Sequence, residues 1–294
     1  MEIRLAKLYD NFPEGEIKVE LLDTVSIQQF ELFEHAISTL EELNSVRRLR
    51  DFVELNDEEL IEMLNSSLQE LLEKSVSWTG VKRKDTEQVF LNLNRLLLNY
   101  LSSIRTFIDH SNAFIVKKFG ENSEQHLELK SIFSFFYDNS FAYRFFYKLR
   151  NYSQHIGIPV DSLSFTTNYD REENKIYGNL SVKFDRNKLL KNYNSWGTVK
   201  HDLVELDEKF DVTPLIFEMT HNIKEIERNI EIIKKEELLS AAKFIVNLTA
   251  HLQDNKGEIF VAYDLKENDK KELTHYSSVN IPFDVIDFIL NDFQ

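Results

Sequence analysis

Three residues whose side chains could handle a phosphate and a proton lie close together in the middle of the sequence. The segment 145–155 is FFYKLRNYSQH, in which Asn151 directly follows Arg150 and His155 comes four residues later. Cleavage of RNA through its own 2′-hydroxyl needs a base, an acid for the departing 5′-oxygen and positive charge on the phosphorane. Histidine exchanges a proton near neutral pH. Arginine stays charged, and its planar guanidinium group can donate hydrogen bonds to two phosphate oxygens at once. Asparagine can orient the histidine or the phosphate.

The spacing of these residues constrains how they can act together. On a helix, Asn151 and His155 share one face, whereas Arg150 and His155 differ by about 140° around the axis. One copy of the helix would therefore aim Arg150 and His155 apart, and a composite site made by two facing helix ends is easier to build. In a last helical turn the exposed carbonyls favour protonated histidine, so a general-acid or phosphate-contacting role suits His155 at least as well as that of a base.

Two long helices are expected to position this segment. Apolar residues recur at three- and four-residue steps from Asp85 to about Phe119, which is typical of an amphipathic helix. A second helical region is predicted from Glu124 to about Ile156, with an interruption at 138–140. Gly157 and Pro159 predict that this helix ends within a turn of His155. The short joint at 120–123 indicates an antiparallel pair.

The Arg150-Asn151 pair with His155 at this spacing, on a helix beside another long helix, resembles the signature of the HEPN family. The resemblance covers roughly residues 25–160, and its specific part is the motif with its two flanking helices. It implies a HEPN-like helical bundle that pairs its motif helices in a homodimer, with a metal-independent, cofactor-free endoribonuclease site in the cleft between them. Arg150, Asn151 and His155 would be its catalytic residues.

The resemblance also implies a biological setting. HEPN ribonucleases serve in phage defence and in toxin systems, and a regulatory protein partner would fit such a role. HEPN toxins paired with nucleotidyltransferase antitoxins often carry a tyrosine two residues after the histidine, which the antitoxin modifies. This chain has Gly157 at that position, so control by that modification is not expected.

The charge of the chain limits how it could contact RNA. The formal net charge of −15 argues against broad, sequence-independent binding to nucleic acid. A local contact is predicted instead, because basic and aromatic residues interleave just before the motif. The predicted RNA-binding residues are Arg144, Tyr147, Lys148 and Tyr152. The alternative for this cluster is an ordinary solvated helix face.

The rest of the sequence predicts a mostly helical protein whose C-terminal region combines helices and strands. The predicted domains are a small hairpin over 1–22 around a turn at 11–15, a HEPN-like helical domain over 23–160, and a smaller mixed α+β region over 161–294. Further helices are predicted from Thr24 or Ser26 to about Asp51, and from Asn56 to about Lys74. In the C-terminal region the pattern predicts strands over 163–167, 176–184, 258–264 and 273–279, and helices over 214–252 and 283–293.

The composition excludes several classes of function. The chain has 294 residues, 42% of them hydrophobic, which is enough for one large core or two modest ones. It has no cysteine, so disulfides, thiolate zinc sites and cysteine nucleophiles are excluded. The first residues lack a signal-peptide pattern and no apolar run approaches the roughly 20 residues of a membrane span, so we expect a cytoplasmic protein with no membrane partner.

Other hypotheses come from different classes of protein. A non-catalytic HEPN-like dimer could act as a scaffold or adaptor, and an acidic chain could inhibit a basic nuclease by mimicking nucleic acid. A metal site at Glu31, Glu34 and His35 lacks the second Glu-x-x-His pair of a di-iron bundle. His201 and Asp202 share a predicted helix face with Glu205, but nothing elsewhere in the sequence points to them.

Overall fold

The computed structural model describes residues 2–11, 16–77, 80–160, 162–252, 257–268 and 273–293. The described residues are mostly helical and form two small antiparallel sheets, so the expected mostly helical class with additional β-structure is confirmed at that level. Among the described helices, none combines the length and the apolar composition needed to cross a membrane.

The elements follow one another along the chain with few long connections. The helices are α1 (Ile27–Val76), α2 (Arg83–Phe119), α3 (Glu124–Asn139), α4 (Phe141–His155), α5 (Arg186–Asn192), α6 (Val199–Glu205), α7 (Thr213–Ile233), α8 (Lys235–Thr249) and α9 (Phe283–Phe293). The strands are β1 (Arg4–Asn11), β2 (Glu16–Thr24), β3 (Ser162–Asp170), β4 (Lys175–Asp185), β5 (Lys209–Asp211), β6 (Glu258–Glu267) and β7 (Leu273–Asn280).

Contacts within the chain group its residues into two compact units. The first unit holds Met1–Ser45 and Lys234–Gln294, and the second holds Val46–Ile233. The boundary expected near residue 160 coincides with neither division. The reason is packing: Phe184 on β4 and Phe210 on β5 are buried in the same core as Phe145 on α4, so these strands belong with the helices that precede them.

The first unit joins both ends of the sequence in one sheet. Its strand order is β2-β1-β6-β7, and every neighbouring pair is antiparallel. One face of this sheet packs against α8, α9 and the first turns of α1, with Leu5, Phe33 and Ile286 in the core. Strands β1 and β2 pair as an N-terminal hairpin would, while the predicted turn at 11–15 lies outside the described residues except for Asn11.

The second unit holds α2 to α7, the later part of α1 and the sheet β3-β4-β5. Its core is rich in aromatic rings. Trp196 is buried with its ring stacked on Phe145 at 6.1 Å and on Tyr152 at 5.9 Å between ring centroids. The Trp196 indole Nε1 donates a hydrogen bond of 3.0 Å to the carbonyl oxygen of Leu189, so its polar atom is satisfied inside the core.

Several helix boundaries differ from those expected. The two helices predicted between residues 24 and 74 are one 50-residue helix, α1. Asn56, expected to start a second helix, lies inside α1 and donates a hydrogen bond to the carbonyl oxygen of Phe52. Val53 and Leu60 are fully buried on either side of it, so packing continues across the segment where polar residues suggested a break.

The interruption predicted at 138–140 is confirmed at Ser140. This residue ends α3 and caps α4, since its hydroxyl oxygen accepts a hydrogen bond from the backbone N–H of Tyr143. The irregularity expected within 214–252 is the junction of α7 and α8 at Lys234. Helix α5 and strand β5 were not predicted, because elements of three to seven residues are too short to show a period, whereas α6 includes the helix face expected for His201, Asp202 and Glu205.

The aromatic core makes a direct prediction for stability. Replacing Phe145, which is fully buried among other rings, by alanine (Phe145→Ala) should lower the free energy of unfolding by about 3 to 5 kcal/mol, because a large cavity would remain. Phe135, 60% exposed on α3, is the matched control, and Phe135→Ala should change stability by only about 0.5 kcal/mol. Urea denaturation measures both, and equal losses would contradict the packing described here.

Candidate active site

Helix α4 carries the motif because one of its faces is apolar and the other is not. Its buried residues are Ala142, Tyr143, Phe145, Phe146, Leu149 and Tyr152. They hold α4 against α2, α3, α6 and α7. Arg150 and Asn151 are half-buried beside this face, and His155 is exposed at the end of the helix. The position of the motif is therefore set by the packing of the residues between its members.

The end of α4 lies where Gly157 and Pro159 predict it. The backbone N–H of Ile156 donates to the carbonyl oxygen of Tyr152 at 2.8 Å, and that of Gly157 donates to the same oxygen at 3.4 Å. His155 is the last helical residue. The last carbonyl groups of a helix have no partner within it, so this helix end carries a partial negative charge near His155.

The structure joins Arg150 to Asn151 rather than to His155. Arg150 Nη1 donates to Asn151 Oδ1 at 3.5 Å, the upper limit for a hydrogen bond, so Asn151 helps to position the guanidinium. Within the described residues, no side-chain hydrogen bond is formed by His155, and none links it to Arg150. The angular separation of about 140° expected for five helical residues accounts for this.

One predicted RNA contact needs correction. Tyr152 is only 6% exposed, and its ring packs on Trp196 and Tyr193 in the core. It lies three residues after Leu149 on the buried face of α4, which explains why an interleaved aromatic became a core residue. In this structure Tyr152 packs in the core beneath the buried face of α4, and little of its side chain is accessible to a ligand.

Arg144 is also engaged within the protein. Its Nε and Nη2 donate to the two carboxylate oxygens of Asp202 on α6 at 2.7 and 2.8 Å. Hydrogen bonding to Asp202 raises the pKa of Arg144 against the opposing effect of burial. This bidentate pair ties α4 to α6, so the guanidinium that the sequence predicted to contact RNA is engaged with Asp202 in this structure. Asp202 is 58 residues away in sequence, and no local pattern could have indicated it.

Tyr147 and Lys148 remain half-buried at the surface of α4. The guanidinium carbon of Arg105, on α2, lies 5.0 Å from the centre of the Tyr147 ring. Burial lowers the pKa of Arg105, but interactions with Tyr147 and Asp109 outweigh it and raise the pKa. The sequence analysis did not single out Arg105, which in the structure also forms an ion pair of 2.7 Å with Asp109 on its own helix.

The other sequence candidates form no metal centre. His201, Asp202 and Glu205 do line a cavity of about 560 Å³ beside Phe141, but Asp202 is held by Arg144. Across the part of the chain that the structure describes, no group of three or more acidic or histidine side chains is arranged to hold a metal ion, and this includes the surroundings of His35.

The Arg144–Asp202 pair can be tested by a double-mutant cycle. Because both side chains are largely buried and the contact is bidentate, Arg144→Ala, Asp202→Ala and the double variant should give a coupling energy of about 1 to 2 kcal/mol in thermal or urea unfolding. The exposed pair Arg83–Glu87 is the control and should give about 0.5 kcal/mol or less. A coupling energy between Arg144 and Asp202 no larger than that of the control pair would contradict a stabilising role for this ion pair.

Comparisons with family models, with curated proteins and with solved structures found no match to this chain. The resemblance to HEPN proteins thus rests on the motif of Arg150, Asn151 and His155 and on the two long helices beside it. Two features of the structure bear on function. His155 is exposed at the end of α4, and the Arg150–Asn151 pair is half-buried one turn earlier.

Proposed function

We propose that this protein is a metal-independent endoribonuclease of the HEPN type, active as a homodimer. The observation that carries the proposal is the end of α4, where an arginine held by its asparagine neighbour and an exposed histidine occupy one helical turn and a half. An acid for the departing oxygen and a positive charge for the phosphate are then present on one rigid element. By resemblance, the proposed setting is phage defence or a toxin system, in which a regulatory protein partner would control the enzyme.

The proposed chemistry divides between the two side chains. The 2′-hydroxyl of RNA gives its proton to a water molecule as its oxygen attacks the adjacent phosphorus, the bond to the 5′-oxygen breaks, and a 2′,3′-cyclic phosphate remains. His155 gives a proton to the departing 5′-oxygen. Arg150 contacts the phosphate and stabilises the charge that develops on it, while Asn151 positions the guanidinium.

A second copy of the chain would solve two problems of the isolated site. Arg150 and His155 point in different directions on α4, and His155 is open to solvent. Two α4 ends facing each other would place the arginine of one chain near the histidine of its partner and exclude water from the cleft. Ile156 and Ile158, 45% and 57% exposed just beyond His155, offer apolar surface that such an interface would cover.

RNA contact in this proposal is local. The net charge of −15 disfavours a wide basic surface, and Arg144 is neutralised by Asp202. Lys148 and Arg150 on α4 remain as the positive groups closest to the histidine in sequence. Affinity would then depend on few phosphate contacts and should vary weakly with salt.

Cleavage assays in EDTA test the proposal. His155→Ala and Arg150→Ala should each lower the cleavage rate of single-stranded RNA by at least about 100-fold, because each removes a group needed in the transition state. Products of the unaltered protein should carry 2′,3′-cyclic phosphate ends. His110→Ala, which changes an exposed histidine on α2, is the matched control and should leave the rate unchanged. If the motif variants cleave as well as the control, the assignment is wrong.

Mixing two inactive variants tests the composite site. If arginine and histidine come from different chains, a heterodimer of Arg150→Ala with His155→Ala keeps one intact site out of two. Random exchange of subunits should then restore about a quarter of the activity. If each chain supplied both residues of its own site, the mixture would stay as inactive as either variant alone. A dimer with no cleavage in any variant would support the scaffold hypothesis instead.

A further inference from the structure

The outer edge of the sheet β3-β4-β5 offers a contact surface that the proposed nuclease does not use. Strand β4 lies in the middle of this sheet, so β3 pairs on one side only. Apart from its ladder with β4, no described residue forms a backbone hydrogen bond with Ser162–Asp170, and residues 166–169 are exposed. Every second residue of an antiparallel edge strand points its N–H and C=O groups away from the sheet. The outer edge of β3 therefore presents a row of backbone donors and acceptors to another strand.

The other edge strands of the two sheets carry features that discourage pairing with another chain, whereas β3 does not. Strand β5 has only three residues, β2 carries several charged side chains, and the register between β6 and β7 shifts twice. Strand β3 is nine residues long, and its register with β4 is regular throughout. Its sequence, SLSFTTNYD, has no proline and no charged residue before Asp170. Because short length, charges and bulges are the usual protections of a sheet edge, their absence indicates that β3 is suited to pairing.

The sequence of β3 is complementary to itself when two copies run antiparallel with Thr166 at the centre. The opposed pairs would be Ser162 with Asp170, Leu163 with Tyr169, Ser164 with Asn168, Phe165 with Thr167 and Thr166 with its own copy. Even-numbered positions bring together hydroxyl, amide and carboxylate groups on one face, and odd-numbered positions bring together mostly apolar and aromatic side chains on the other. No like charges stand opposite each other, because Asp170 faces a serine. A strand from a second copy thus satisfies both the backbone and the side chains of this edge.

We propose that two copies of this chain pair through the outer edges of β3, as antiparallel strands about a two-fold axis at Thr166. The two sheets then join into one continuous sheet with three strands from each chain. Each β3 becomes an interior strand, and its outward backbone groups find partners. This contact is separate from the proposed meeting of two α4 ends and uses none of Arg150, Asn151 and His155, so it does not rest on the proposed nuclease.

Disulfide crosslinking of single-cysteine variants tests this pairing. The chain contains no cysteine, so Thr166→Cys places one thiol in each copy. At the two-fold axis the two Cα atoms would be about 4.5 to 5.5 Å apart, which is within the range that a disulfide spans. Mild oxidation of the full chain should convert most of this variant into a covalent dimer, measured on a non-reducing gel.

Asn179→Cys is the matched control variant. Asn179 is the residue of β4 that pairs with Thr166, and it is exposed as well. In the proposed sheet the two β4 strands lie three strand spacings apart, about 14 Å, which is too far for a disulfide. Oxidation of Asn179→Cys should therefore leave the chain without a covalent dimer.

Hydrogen exchange of the unaltered chain gives a second test that needs no variant. The outward amides of β3 are protected only while two copies are paired, and dilution separates the copies by mass action. After about 100-fold dilution the exchange rates of these amides should rise severalfold. The amides of β4 in the ladder with β3 are hydrogen-bonded within the chain and should exchange at the same rate at both concentrations.

Three results would overturn the proposal: no covalent dimer of Thr166→Cys, an equal yield from Asn179→Cys, or rapid exchange of the outward β3 amides at both concentrations. Adding His155→Ala to Thr166→Cys should leave the yield of covalent dimer unchanged. A failure of the nuclease assignment and a failure of the β3 pairing are therefore separate results.

Discussion

The two rings of Phe145 and Tyr152, two turns apart on α4, stack on the same buried indole of Trp196. Trp196 comes from the segment between α5 and α6, so this contact ties the middle of the second unit to the helix that carries the motif. Aromatic stacking in a dense core leaves few alternative packings. The direction of α4, and therefore the position of Arg150 and His155, depends on it.

A helix packed in this way holds its C-terminal end in a fixed position. The Arg144–Asp202 pair adds a polar contact between α4 and α6 about three turns before the motif's histidine. Ser140 adds another at the start of α4, where its hydroxyl donates to Glu218 of α7 at 2.6 Å. With the helix fixed at both its start and its middle, the last turn is free to meet a partner surface without disturbing the core. Exposure of His155 is then a property of the fold, and in the proposed function a second chain would enclose the site.

The sequence predicted the elements with strong periodicity and clear ends. The helix α2, the cap at Ser140 and the end of α4 before Gly157 all follow from local rules about periodicity, hydroxyl caps and glycine. It could not predict interactions between residues far apart in the chain. Asp202 neutralises Arg144 from 58 positions away, and the burial of Tyr152 depends on Trp196.

The division of the chain shows the same limit on a larger scale. A change from helical to mixed patterns near residue 160 suggested a boundary, yet the strands that follow contribute Val182 and Phe184 to the core beneath α4. The buried carboxyl of Asp57 gave no sign in the sequence either, because it looked like one of several acids in a helix start. Local pattern identifies elements, and only packing shows which side chains become buried.

In the proposed dimer, two copies of α4 meet at their C-terminal ends. A distance between spin labels tests this arrangement most directly. The chain contains no cysteine, so Gln154→Cys, an exposed position beside His155, provides a single labelling site in each chain. Pulsed electron–electron double resonance should show a single distance between the two labels. This distance should be no more than roughly 30 Å, which is about three helix diameters. A strictly monomeric protein, or labels much farther apart than this, would contradict the account.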